Sequence, residues 1–155
     1  MRRKFISLTL SAVLALGVTT PAWAATETYA DGEVHTIGVV VYDPDASEME
    51  MFSDYYRDYI QAGFPVKFIF SGRTTSAEDE IQYIDKMKEQ GAEGIISFAG
   101  FAAGLQDIIG ECEKEEVYYA LGSNTISDEN YEAVKDNTYY MGSVGPKLKD
   151  VYQSG

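Results

Sequence analysis

Between His35 and Gly155 the sequence runs five times through the same local order: a β-branched or aromatic run, a polar break, then apolar residues at helical spacing. The clearest copy is His35 to Ser47, His-Thr-Ile-Gly-Val-Val-Val-Tyr-Asp-Pro-Asp-Ala-Ser. Ile37 and Val39 to Val41 do not alternate with polar residues. That pattern belongs to a strand covered on both faces, as in a parallel sheet. The run breaks at Asp43-Pro44, because proline has no N–H for a ladder. Ser47 is placed to cap a helix, with Glu50 three residues on in capping-box spacing. The unit is therefore strand, polar loop, helix N-terminus, and open sheets of such units bind ligands beyond the carboxyl ends of their strands.

The later copies follow in order. A helix over Ser47 to Ala62 turns Met49, Phe52, Tyr56, Tyr59 and Ile60 to one face and stops at Gly63. A second strand, Val66 to Phe70, ends at Ser71-Gly72. Ser76 then caps a helix carrying Ile81, Ile84 and Met87, with Gly91 as its stop. The third strand, Gly94 to Phe98, breaks at Ala99-Gly100, and a helix from Ala103 to Lys114 turns Leu105, Ile108, Ile109 and Cys112 inward. Val117 to Leu121 is the fourth strand, ended by Gly122-Ser123-Asn124. A short helix over Asp128 to Lys135 leads to the fifth strand, Tyr139 to Val144, and Pro146 suits the first turn of a last helix. The alternation predicts an α/β protein: an open, doubly wound parallel sheet of about five strands with helices on both faces. Five units are too few for an eightfold barrel.

Residues 1–24 stand apart. Arg2, Arg3 and Lys4 precede the largely apolar stretch Phe5 to Val18, and Ala22-Trp23-Ala24 ends it in the small-x-small pattern of a signal-peptidase site. The stretch is shorter than the ~20 residues of a spanning helix and is interrupted by Thr19, Thr20 and Pro21. A cleaved signal peptide is expected, with a periplasmic or secreted product and no membrane insertion of the mature chain. Residues 25–33 read as a flexible leader, 34–145 as the folded lobe, and 146–155 as the start of a crossover. Loss of three basic residues leaves 9 basic against 25 acidic side chains, and the formal charge moves from −13 to −16. Such a balance excludes a nucleic-acid partner, which needs clustered Lys and Arg, and equally disfavours anionic lipid. A single cysteine, Cys112, allows no intramolecular disulfide and sits in a helical apolar pattern.

No Gly-x-Gly-x-x-Gly follows any strand, and no Gly-Lys-Ser/Thr loop occurs, so nucleotide fingerprints are missing. No cofactor is expected. His35, the only histidine, begins a strand away from the ligand edge, so no Ser-His-Asp or Cys-His set can form there. Asp43 and Asp45 have two readings: a general acid–base or metal pair, or turn formers and caps, the commoner role on such a loop. Phe98 and Phe101 flank Ala99-Gly100 at the ligand edge, either facing a ligand or packing under the loop.

The chain resembles the N-terminal lobe of type I periplasmic binding proteins, the sugar-binding-protein-like receptors of ABC importers. The residues that carry the resemblance are His35-Thr-Ile-Gly-Val-Val-Val-Tyr followed by a helix, and Ile81-Gln-Tyr-Ile-Asp-Lys-Met with Gln90-Gly-Ala-Glu-Gly-Ile-Ile-Ser. Gly145-Pro-x-Leu after the fifth strand is similar to the family's crossing into its second lobe. The resemblance implies two lobes closing on a small ligand, of which this sequence holds one, so a truncated chain is expected. It also implies a half-site on the loops after the strands: Tyr42, Asp43 and Asp45, then Ser71, then Ser97, Phe98 and Phe101, then Asn124 and Ser143. Carboxylates, amides and aromatic rings suit a polyol. The function implied is capture of a small sugar-like ligand for an ABC transporter permease, without catalysis. The alternatives are a ligand-sensing module of a membrane receptor and a flavodoxin-like enzyme.

Overall fold

The computed structural model describes residues 32–122 and 126–145, so the expected signal peptide, most of the leader and the expected crossover lie outside it. Five strands form one sheet: β1 (His35–Val41), β2 (Val66–Arg73), β3 (Ala92–Ser97), β4 (Tyr118–Gly122) and β5 (Tyr140–Val144). Their order is β2-β1-β3-β4-β5, and each neighbouring pair is parallel. The fold is the α/β, doubly wound parallel sheet that the alternation predicts.

Two cores explain the unbroken apolar run of β1. Val39 and Val41 point into one cluster with Met49 and Phe98, beneath α1 (Ser47–Asp54) and the π-helical turn Tyr55–Ile60 that continues it into α2 (Gln61–Gly63). Val40 points the other way, into a larger cluster with Ile84, Met87, Ile95, Leu105, Ile108, Cys112 and Tyr119. That cluster lies under α3 (Ala77–Glu89), α4 (Leu105–Glu115) and α5 (Asp128–Val134). Full burial of one such aliphatic side chain contributes about 1.5–3 kcal/mol, which makes β1 the energetic centre of the sheet.

Several local expectations are corrected. Ala46, not Ser47, is the N-cap of α1, and no side chain caps it. The preceding turn is closed by Asp43, whose backbone O accepts the Ala46 N–H (3.2 Å) and whose side-chain Oδ1 accepts the Asp45 N–H (3.0 Å). The π turn widens the hydrogen-bonded ring and shifts the register, so Met49, Phe52 and Tyr56 pack inward as expected while Tyr59 is left exposed. Strand β2 runs to Arg73, three residues past its expected end, because its ladder with β1 continues to Val41↔Arg73. Ser76 does cap α3, accepting from the Asp79 N–H at 3.1 Å, and Gly91 follows the helix with φ +89.

Candidate functional site

Strands β1 and β3 are neighbours whose following helices leave on opposite faces. This strand order therefore has its switch point, and its crevice, between their carboxyl ends. The two loops start side by side, since the Phe98 N–H donates to Val40 O at 2.7 Å. The loop after β1 presents Tyr42, Asp43 and Asp45. Arg73, at the end of β2, reaches over them: its Nη1 lies 2.7 Å from Asp43 Oδ2 and its Nη2 lies 3.6 Å from Asp45 Oδ2. The Thr74 N–H donates to Tyr42 O at 3.2 Å and ties the β2 end to the same loop. Tyr42 Oη donates to Glu48 Oε1 at 2.6 Å, and this hydrogen bond is the main cause of a phenol pKa above its ordinary value. The edge thus offers two carboxylates, a guanidinium fork and a phenol on one rim, a mixture of acceptors and donors suited to hydroxyl groups.

The remaining sequence candidates divide. Ser71 is buried and committed to the scaffold, accepting from the Val41 N–H (2.9 Å) and donating to Gly72 O (2.8 Å). Ser97 has no exposed surface at all, and its hydroxyl accepts from the Ala99 N–H at 3.3 Å. Phe98 takes the packing alternative: it stacks on Phe52 at 5.3 Å between ring centroids and fills the space over Gly122, where a Cβ would come within 2.6 Å of its ring. Phe101 is half-buried against the larger core, beside Gly100 at φ +77. Ser143 is exposed near the end of β5, which lies beyond β4 from the β1–β3 crevice. Asn124 lies outside the described residues. The structure therefore leaves Tyr42, Asp43, Asp45, Phe101 and Ser143 with access to solvent, and adds Arg73, which sequence reasoning passed over.

His35 stands at the opposite end of β1, its Nδ1 2.9 Å from Glu93 Oε2, away from this edge as expected. Elsewhere, Asp85, Glu111 and Glu115 bring carboxylate oxygens within 4.8 Å of one another. Lys114 already bridges two of them, bonding Glu111 and lying 3.2 Å from Glu115. Burial first, and Glu111 second, hold the Asp85 carboxyl above the usual carboxylate range.

Among solved structures, the chain is similar to an ABC transporter solute binding protein from Bacillus halodurans C-125 with bound myo-inositol. The TM-score is 0.52 and the identity 14%, over 68% of this chain and 36% of that one. This chain has the fold of one periplasmic-binding-protein-like lobe. It spans little more than a third of the solute binding protein's length (36%). At this identity the likeness is one of fold. No protein-family model matches the sequence. No curated protein sequence matches it. Among the described residues, no helix is long and apolar enough to cross a membrane.

Proposed function

We propose that this chain is the ligand-binding N-terminal lobe of an exported solute receptor, one that captures a small polyhydroxylated molecule for an ABC transporter. The observation that carries the reading is the rim at the β1–β3 crevice. There Arg73 holds Asp43 and Asp45 beside Tyr42, on a fold whose solved neighbour is an ABC solute binding protein. Bidentate guanidinium and carboxylate groups grip vicinal hydroxyls well, because each hydroxyl both donates and accepts. Phe101 supplies an apolar surface next to the rim for the C–H face of a ring. Asn124 and Ser143 belong to the same half-site in this reading, and a second lobe supplies the other wall. Residues 1–24 act as the export signal, cleaved near Ala24.

The strand order also serves flavodoxin-like proteins, which seat a phosphate at this edge. Here the loop carries Asp43 and Asp45, whose charges oppose a phosphate, and capture without bond chemistry is the better reading. Calorimetric titration of the full receptor with myo-inositol, hexoses, nucleosides and amino acids tests it. A polyol is expected to bind, and Arg73→Ala or Asp43→Ala to weaken it by about 10- to 100-fold, the loss of a charge-assisted hydrogen bond. No binding across all four classes overturns the reading.

A further inference from the structure

The segments that leave the strands at the ligand edge carry charge almost entirely of one sign. Asp43 and Asp45 follow β1, and Glu48 and Glu50 lie in the first turn of α1. The loop after β3, residues 98–104, holds no charged side chain. Arg73 is the one basic side chain in the described parts of these segments, up to the first turn of each following helix. The partial positive charge of the α1 N-terminus is met within its own first turn by Glu48 and Glu50. Glu80, in the first turn of α3, does not add to the edge: it is fully buried, and its Oε1 accepts from Tyr119 Oη at 2.7 Å.

The hydrogen bonds of the rim point the same way. Tyr42 Oη gives its only hydrogen to Glu48 Oε1 at 2.6 Å, so toward a ligand it can only accept. Asp43 is engaged at both oxygens, Oδ1 by the Asp45 N–H (3.0 Å) and Oδ2 by Arg73 Nη1 (2.7 Å), and its side chain is 23% exposed. Asp45 is placed differently. Its side chain is 87% exposed, and its Oδ2, 3.6 Å from Arg73 Nη2, is beyond hydrogen-bond length. Asp43 thus answers the guanidinium charge, and Asp45 keeps acceptors and a charge to offer.

We propose that the ligand of this crevice is a polyol carrying a protonated amine, an amino sugar or aminocyclitol, and that Asp45 receives its ammonium group. The inference rests on the reading of the crevice as a polyol site and narrows it. An ammonium group brings three donors and a positive charge to a rim rich in acceptors and acids. A neutral polyol gains nothing from the excess charge, and an acidic one is repelled by Asp45 and Glu48. The uncharged wall after β3 screens the field of the rim less than water does and so focuses it across the crevice. The hydroxyls of the same ligand are left to Arg73 and its ring face to Phe101.

Calorimetry of the full receptor with three matched sets tests this: glucose, glucosamine and glucuronate; galactose, galactosamine and galacturonate; myo-inositol, its monoamine and its monophosphate. Within a set the ring is kept and the charge changes, and the buffer is held below neutrality so that the amines are protonated. In the set that binds, the amine is expected to bind about 10-fold tighter than its neutral parent and the acid weakest. Added salt should shrink that ratio. Asp45→Asn should bring it toward one, whereas Arg73→Gln, which removes the positive charge of the rim, should widen it. Loss of folding cannot shift one ratio in two directions, and if either variant fails to fold the wild-type ratio alone decides. An amine no tighter than its neutral parent overturns the proposal and leaves the polyol reading standing. A ratio untouched by Asp45→Asn overturns the assignment of the ammonium group to Asp45. No binding in any set removes the polyol reading itself, and this proposal with it.

Discussion

Glu116 closes α4 in the left-handed conformation, at φ 54 and ψ 50, where the chain has no glycine. An L side chain there costs roughly 1–2 kcal/mol, and the residue persists because the turn delivers Val117, fully buried, into the larger core. Glu116→Gly is therefore expected to stabilise the fold by about 0.5–1 kcal/mol, measured by urea unfolding. Glu80 behaves in the opposite sense, as a burial that costs rather than a backbone that strains. Its folded pKa lies above the ordinary glutamate value of 4.5, first because of desolvation. Over the interval between the two values the folded protein keeps a proton that the unfolded chain has lost. Stability from this group is thus complete below the ordinary value and is lost as pH rises through the folded one. Glu80→Gln, neutral at every pH, is expected to flatten that decline in thermal unfolding across the same window. A variant as steeply pH-dependent as wild type would refute the assignment. Cys112, pushed up to about 12 mainly by burial, is an inert core thiol as its helical spacing indicates.

Helix α3 and the short 3₁₀ turn Ala102–Gly104 meet at a contact that leaves no room for a methyl group. Gly104→Ala should cost about 1–3 kcal/mol through overpacking against Ala77. Ala77→Gly in the same chain should recover part of it, since the clash is between two Cβ atoms. A denaturant double-mutant cycle reads the coupling, and additive effects would show that the turn yields instead. Across the sheet, the first helix was legible in its ends and its leading apolar positions. Its middle was not. Tyr55–Ile60 forms a π turn, and a wide turn has no local sequence signature that distinguishes it from α-helix, so the place of Tyr59 could not be read from spacing. The cap of α1 failed for a related reason: Ser47 and Glu50 have capping-box spacing, but the Asp43 turn closes one residue earlier and makes Ala46 the cap.

The two faces of the sheet are unequally covered. Gly122 faces Phe98, so Val144, its partner on β5, and Tyr118, four residues before it on β4, point to the side that carries α1. Both are exposed, at 78% and 49%, and no described helix covers them. The helices α3, α4 and α5 by contrast seal the opposite face with the larger core. The crevice lies where this asymmetry begins, between β1 and β3, because the connection from β1 to β2 and the connection from β3 to β4 pass on opposite sides. That placement gives the ligand titration its force, since the rim gathers residues after β1 and at the end of β2, beside the crevice.

Local chemistry alone was enough to read the βα alternation, the two-faced burial of β1, the stops at Gly63 and Gly91, the Ser76 cap and the inert cysteine. Each follows from short-range rules of period, propensity and backbone freedom that hold wherever the segment lies. The membership of the site was a different kind of question. Ser71 and Ser97 sit at loop-like positions in the sequence, yet neighbouring strands bury them and spend their hydroxyls on the Val41 and Ala99 amides. Arg73 follows a Ser-Gly break that reads as the end of a strand, and it becomes part of the rim only because the β1 ladder carries β2 further. Glu80 has the pattern of an exposed first-turn acid, and it is Tyr119, 39 residues away, that draws it into the core. Solvent access and pairing depend on which distant segments meet, and no window of the sequence shorter than the fold contains that information.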